Sequence, residues 1–464
     1  MPDMKLVLGL LLMAALNSFA VPLPPAVLQE LKSAAIPLDA VAVSVHEVGA
    51  KKSLISLNDA TPMNPASTMK LLTTFAGLEL LGPAYTWKTE AYLDGKLENG
   101  VLRGDLILKG YGDPKLTIEQ FWLWMAELQA RGLREIRGNL VIDRSFFDLP
   151  PIDSGAFDND PVRAYNVAPD ALLLNFNTLR LRYLPENGRL HAIIEPPIDG
   201  IILDNQLVAK NTGSCDNWDD TILVQATDER LLLQGGYPAE CGEREHNLSV
   251  LSHTRYVEAV FRAVWQQLGG SFSGKPRDGV TSLQAKLFST HRSEPMSLVI
   301  RDINKFSNNV MARQLFLTLA DTTGEVASIP RSSAVMRGWL AKQGLDFPEL
   351  VLENGSGLSR KERISAGHMA QLLQSVTESP YSAELIASLP ILGVDGSVKK
   401  RLKNSPAASH AHLKTGTLDG VKTLAGFVQA RSGKQWIVVF FVNHPNAKRA
   451  QAAQDALIEW LQGV

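Results

Sequence analysis

Asn64-Pro65-Ala66-Ser67-Thr68-Met69-Lys70 opens a run that stays largely apolar to Leu81 and stops at Gly82-Pro83. Proline before the run and Gly-Pro after it are start and stop signals, so the spacing predicts a helix from Ser67 to about Leu81. Residues three apart share a helix face, which brings the Lys70 amine within reach of the Ser67 hydroxyl. A serine hydroxyl is a weak nucleophile and needs a base. A lysine serves when burial or neighbouring cations keep it neutral. The positive end of the helix also favours negative charge developing on Ser67. Read alone, the stretch is equally a serine helix cap ahead of a surface lysine. The chain carries a second match, Ser397-Val398-Lys399-Lys400, to show how little S-x-x-K says by itself.

Outward from this stretch, Val41 to Val48 and Ser53 to Leu57 flank Gly49-Ala50-Lys51-Lys52, a hairpin pattern, and a short helix precedes them near 25–35. The C-terminus reads as more of the same sheet. His412 to Thr417, Leu424 to Ala430 and Gln435 to Asn443 are strands parted by turns at Leu418-Asp419-Gly420 and Arg431-Ser432-Gly433-Lys434, and a helix follows from about Ala447 to Leu461. With helical segments across 295–376, one α/β domain is expected to be assembled from both ends of the chain.

The middle differs. Leu179, Leu181 and Tyr183 alternate with Arg180 and Arg182, the two-residue period of a half-buried strand. Strand-like segments recur at 100–109, 138–143, 190–195, 201–209 and 221–234, with helices near 117–131 and 253–268. The predicted division is a signal peptide at 1–20, a main domain from 21–85 and 282–464, one insertion from 86–165 and 250–281, and a second β-rich insertion, 166–249, nested in it.

Two more motifs lie in the terminal parts. Lys414-Thr415-Gly416-Thr417 falls on a predicted strand, where a lysine and a threonine hydroxyl make a carboxylate-binding pair. Gly416 permits close approach to its backbone, and the Thr417 N–H can help bind an oxyanion. Ser307-Asn308-Asn309 starts the helix that continues Val310-Met311-Ala312-Arg313; Ser and Asn are also ordinary helix caps.

Together, S-x-x-K, S-x-N and K-T-G occur in the order that marks serine β-lactamases and penicillin-binding proteins. The chain resembles the class C low-molecular-mass penicillin-binding proteins, D-alanyl-D-alanine carboxypeptidases/endopeptidases, over nearly all of its mature length. Ser67 and Ser307 stand 240 residues apart (67 to 307), far more than in a β-lactamase, and that family carries two inserted domains at this point. Gly112-Asp113-Pro114, Val141-Ile142-Asp143, the 169–177 stretch and Asn354-Gly355-Ser356-Gly357-Leu358-Ser359-Arg360 also look like the family and read as turns and strand edges. The resemblance implies an α/β (α+β) serine β-lactamase/penicillin-binding transpeptidase-like domain, its antiparallel sheet flanked by helices, with two nested β-rich inserted domains. It implies Ser67 as nucleophile, Lys70 as base, Ser307 as proton relay and Asn309 as ligand of a substrate amide. Lys414, Thr415, Gly416 and Thr417 bind substrate. Some members hold the amino end of the peptide side chain with an acid and an aromatic five positions on; Asp160 and Tyr165 fit, with Asp158 as the alternative acid. Deacylation falls to Lys70 and Ser307. The partners implied are peptidoglycan stem peptides and β-lactam antibiotics. Two other functions share parts of this pattern: a β-lactamase-like hydrolase and a non-enzymatic cell-wall-binding scaffold.

Bulk properties agree. The 464 residues are 45% hydrophobic, enough for two or three cores. A net charge of −2 argues against nucleic-acid or anionic-membrane partners. Lys5, the apolar run Leu6 to Leu16 and small residues at Ser18 and Ala20 read as a secretory signal peptide, too short to span a membrane, which needs about 20 apolar residues. At most loose membrane association and a periplasmic location are expected. In an exported chain Cys215 and Cys241 are expected to pair. No H-E-x-x-H, C-x-x-C, G-x-S-x-G or phosphate loop occurs, and His410 and His412 lack a third ligand, so neither metal nor cofactor is expected.

Overall fold

In the computed structural model, residues 22–186, 189–210, 213–216, 218–219, 221–227, 229–323 and 326–464 are described. The expected signal peptide at 1–20 lies outside them.

The frame is a five-stranded sheet ordered Ala411–Leu418, Val421–Gln429, Gln435–Asn443, Val41–Glu47, Ser53–Leu57, every neighbouring pair antiparallel. The chain's first strand pairs with its last along its whole length, from Val41 opposite Val442 to Glu47 opposite Trp436. The terminal parts therefore form one body.

The central strand explains why helices cover both faces. Trp436 to Val442 is buried throughout. Successive side chains leave a strand on opposite sides. Ile437, Val439 and Phe441 enter a core shared with the Met69–Leu81, Met296–Lys305, Asn309–Thr318 and Ala366–Glu378 helices. Trp436, Val438, Phe440 and Val442 enter another, under the Pro25–Ser33 and Gln451–Gly463 helices. Each such side chain contributes about 1.5–3 kcal/mol by leaving water.

The inserted chain builds a seven-stranded sheet around the Lys88–Glu98/Val101–Gly110 hairpin and two three-stranded sheets over 179–248. One apolar cluster runs through all three sheets and the Ile118–Ala130 and His253–Gln267 helices. The stretch 221–234, expected as one strand, is a hairpin of Ile222–Ala226 and Arg230–Pro238. The Thr227 N–H donates to Arg230 O and the Arg230 N–H to Thr227 Oγ1, which turns the chain there. Cys215 and Cys241 form a disulfide with Cα atoms 5.4 Å apart.

Between the inserted sheets the chain returns to the main body. The Arg313 guanidinium donates to Val167 O, and Gln314 is bonded in both directions to the Asp170 backbone. Phe147 and Ala171 pack with Leu317, Ala320 and Ala327. This junction steadies the helix that Asn309 begins. Among the described residues no helix is long and apolar enough to cross a membrane.

Candidate active site

Ser67 lies in a single 3₁₀ turn, Ala66–Thr68, that feeds the Met69–Leu81 helix. Four contacts hold this turn. Thr68 Oγ1 and Thr423 Oγ1 both donate to Pro65 O at 2.7 Å. The Ala66 N–H donates to Asn64 Oδ1, and the Asn64 amide donates to Ser359 O. The turn is thus pinned to the sheet on one side and to the 354–359 loop on the other.

Two glycines make room for it. Gly357 has φ +80°, and a Cβ there would stand 1.9 Å from Ala66 O. At Gly416 a Cβ would meet Thr423 Oγ1 at 2.2 Å and Ser67 N at 2.8 Å. The sequence leaves open what approaches the Gly416 backbone; it is the turn that carries Ser67.

Lys70 is fully buried. Its Nζ lies 3.0 Å from Ser67 Oγ, 2.6 Å from Asn309 Oδ1 and 2.5 Å from Ser356 O. A neutral amine has two N–H donors and one lone pair. Two carbonyl acceptors and the Ser67 hydroxyl satisfy it, and the same three oxygens would accept from the three N–H groups of an ammonium, so the environment and not the partner set decides the charge. Burial above all, then the positive charge of Lys414, pulls Lys70 well below the usual lysine range; Arg313 adds to this and Glu362 opposes it. Burial also pushes Glu362 toward its neutral acid, against the Glu353, Asn354 and Gly355 N–H groups that its Oε1 accepts. Both members of this buried pair therefore move toward their uncharged forms.

Lys414 is also fully buried, on the edge strand. Its Nζ donates to Ser307 Oγ and to Thr415 O, each at 2.9 Å, and burial brings it down to about 7. Ser307 sits at φ +57° just before the Asn308-capped helix. A left-handed non-glycine backbone is strain of the kind that collects at functional sites. Ser67, Lys70 and Asn309 thus form one hydrogen-bonded set and Ser307 and Lys414 another, coupled by the charge of Lys414 on Lys70, and Gly416 abuts the serine turn. Thr415 is half-buried and Thr417 exposed on the same strand. The edge strand leaves one row of backbone groups without a sheet partner.

Tyr165 and Asp160 part company. Tyr165 lines a cleft of about 580 Å³ with Phe306, Ser307 and Asn309, faced by Glu119, Arg180 and Asn247 of the insertions. Its hydroxyl donates to Asp158 Oδ2 at 2.6 Å. Asp160 is ion-paired to Arg163, also at 2.6 Å. Asp158 is thus the acid beside the aromatic.

Sequence reasoning missed the parts played by Ser356, Gly357, Glu362 and Arg360. Arg360 stacks on Phe157 of the insertion, 4.6 Å from the ring centre, and donates to Asp419 O at the turn after the edge strand. All but Glu362 stand in the Asn354–Arg360 phrase read as a turn. Its Gly-Ser-Gly pattern was the available signal.

Comparison with known proteins covers nearly the whole chain. The profile of the D-Ala-D-Ala carboxypeptidase 3 (S13) family matches residues 26–464. The D-alanyl-D-alanine carboxypeptidase DacB of Haemophilus influenzae is 29% identical over 391 residues, 83% of this chain and 81% of the relative. A D-alanyl-D-alanine carboxypeptidase of an Actinomadura species is 26% identical, over 89% of this chain and 80% of its own length. The crystal structure of penicillin binding protein 4 from H. influenzae superposes with a TM-score of 0.78 at 25% identity, covering 93% of this chain and 99% of that one.

Proposed function

This chain belongs to the D-Ala-D-Ala carboxypeptidase 3 (S13) family, and from that membership we propose a division of labour for its site. The protein is a serine D,D-peptidase. Its substrates are peptidoglycan stem peptides, cut at D-Ala-D-Ala ends or at D-Ala cross-links, in the periplasm after removal of residues 1–20. The observation that carries the reading is Lys70, 3.0 Å from Ser67 Oγ and so fully buried that it is drawn toward its neutral form.

Lys70 takes the proton as Ser67 Oγ attacks the penultimate D-Ala carbonyl. The Ser67 and Thr417 N–H groups hold the oxyanion. As the C–N bond breaks, the leaving amine takes a proton through Ser307, which is bonded to Lys414. Asn309 orients both Lys70 and the substrate amide. Lys414 and Thr415 hold the terminal carboxylate. Water then hydrolyses the Ser67 ester, with Lys70 and Ser307 again moving the proton. A β-lactam traps the enzyme at the ester stage.

Fluorescent penicillin should label the wild-type chain and leave Ser67→Ala unlabelled. Label on Ser67→Ala would overturn the assignment. Mass spectrometry of purified muropeptides after digestion then separates D-Ala release from cross-link cleavage.

A further inference from the structure

Ser397, from the second S-x-x-K match, has no place in the chemistry above, yet it touches the carboxylate-binding strand. Its Oγ lies 2.7 Å from Thr415 Oγ1. Among the described residues Thr415 is the one hydrogen-bond partner of the Ser397 side chain, and Ser397 is exposed. The contact therefore does not satisfy a buried group.

The surroundings show that the contact is built. Pro390–Leu392 pairs with the start of the edge strand: Leu392 N–H donates to Ala411 O and Leu413 N–H to Pro390 O, both at 2.9 Å. That pairing ends at Leu413, where the Lys414–Thr417 motif begins. The chain then runs through Asp395 into the Gly396–Val398 turn. Asp395 accepts from the Ile391 N–H at 2.8 Å and pairs with Lys305 at 2.6 Å. Lys305 stands two residues before Ser307. One short segment thus fastens to the chain just before Ser307 through Asp395 and to Thr415 through Ser397.

We propose that Ser397 is a positioning residue for recognition of a free C-terminal carboxylate, acting through Thr415. This rests on the reading of Thr415 as a carboxylate ligand. Hydroxyl hydrogens rotate to suit their partners. When an anion arrives beside Lys414, Ser397 O–H donates to Thr415 Oγ1, and Thr415 O–H is left to donate to the anion. Hydrogen bonds in such a chain strengthen one another. An uncharged C-terminus, such as a carboxamide, gives Lys414 no anion and gains little from the relay.

The test uses the full chain as wild type, Ser397→Ala and Ser397→Thr. Substrates are an N-acylated peptide ending in D-Ala-D-Ala and the same peptide as its C-terminal amide. Ser397→Ala should raise KM for the acid about 3- to 10-fold, the worth of one hydrogen bond, with kcat within about twofold. The amide should be unaffected, so the acid-over-amide preference shrinks by the same factor. Ser397→Thr should restore it. An unchanged KM, or equal losses on acid and amide, overturns the proposal. Should penicillin fail to label Ser67 in the wild type, the D,D-peptidase reading itself has failed, a result separable from any outcome at Ser397.

Discussion

Ser67-Thr68-Met69-Lys70 and Ser397-Val398-Lys399-Lys400 are the same motif in one chain, and the fold makes different things of them. Both serines sit in a 3₁₀ turn. Lys70 continues into a helix buried on all sides, with no exposed surface of its own. Lys400 is exposed. An ammonium in water keeps its proton at neutral pH. One deprived of water and placed near Lys414 holds its proton much less tightly. The motif supplies the reach; burial supplies the lowered proton affinity that the proposed base needs.

Deleting each lysine is the hardest test of this contrast. Lys70→Met should slow penicillin acylation by about 10²- to 10⁴-fold, the usual worth of a general base, measured by stopped-flow labelling. Lys400→Ala should leave the rate within about twofold. Comparable losses would break the contrast.

A gentler perturbation moves only the turn that carries Ser67. Gly357→Ala forces a Cβ against Ala66 O at a φ of +80°. It should cost about 1–3 kcal/mol of stability, seen as a lower unfolding midpoint, and should slow acylation while leaving the insertions folded. Unchanged stability and rate would show that the 354–359 loop does not support the turn.

The smallest expected effect is in the pH profile. Lys70 must be neutral, so acylation rises with pH through its lowered value. Lys414 must be an ammonium to hold a carboxylate, so kcat/KM falls as pH rises through about 7. Lys414→Arg keeps the charge at higher pH and should carry the falling limb upward. A falling limb that stays in place would assign it to another group.

Much of this was legible in the residues because it is local. Serine and lysine one helical turn apart and the apolar run Trp436 to Val442 each follow from the period of a single element. Several inserted strands were legible for the same reason, but not Lys88–Glu98, Arg244–Leu248 or Lys286–Arg292. The last of these pairs with Lys88–Glu98, although the predicted division put it in the main domain. At 221–234 a side-chain-held turn at Thr227 splits an apolar run that period alone leaves whole. Asp160 met its spacing to Tyr165, yet Arg163 holds it, and the Tyr165 hydroxyl goes to Asp158. Sequence distance along an irregular loop does not determine which side chains meet.

The amino-acid sequence by itself determined the order of the three motifs, the membership of both chain ends in one sheet and the presence of a long β-rich insertion. Only the tertiary structure decided which S-x-x-K lysine loses water. It also decided that Asn309, 239 residues on, and the Ser356 carbonyl, 286 on, would accept from its amine. The physical reason is range. Periodicity and turn chemistry act over a few residues. The proton affinity of an amine depends on everything packed around it, and here those neighbours come from three distant segments brought together by one core.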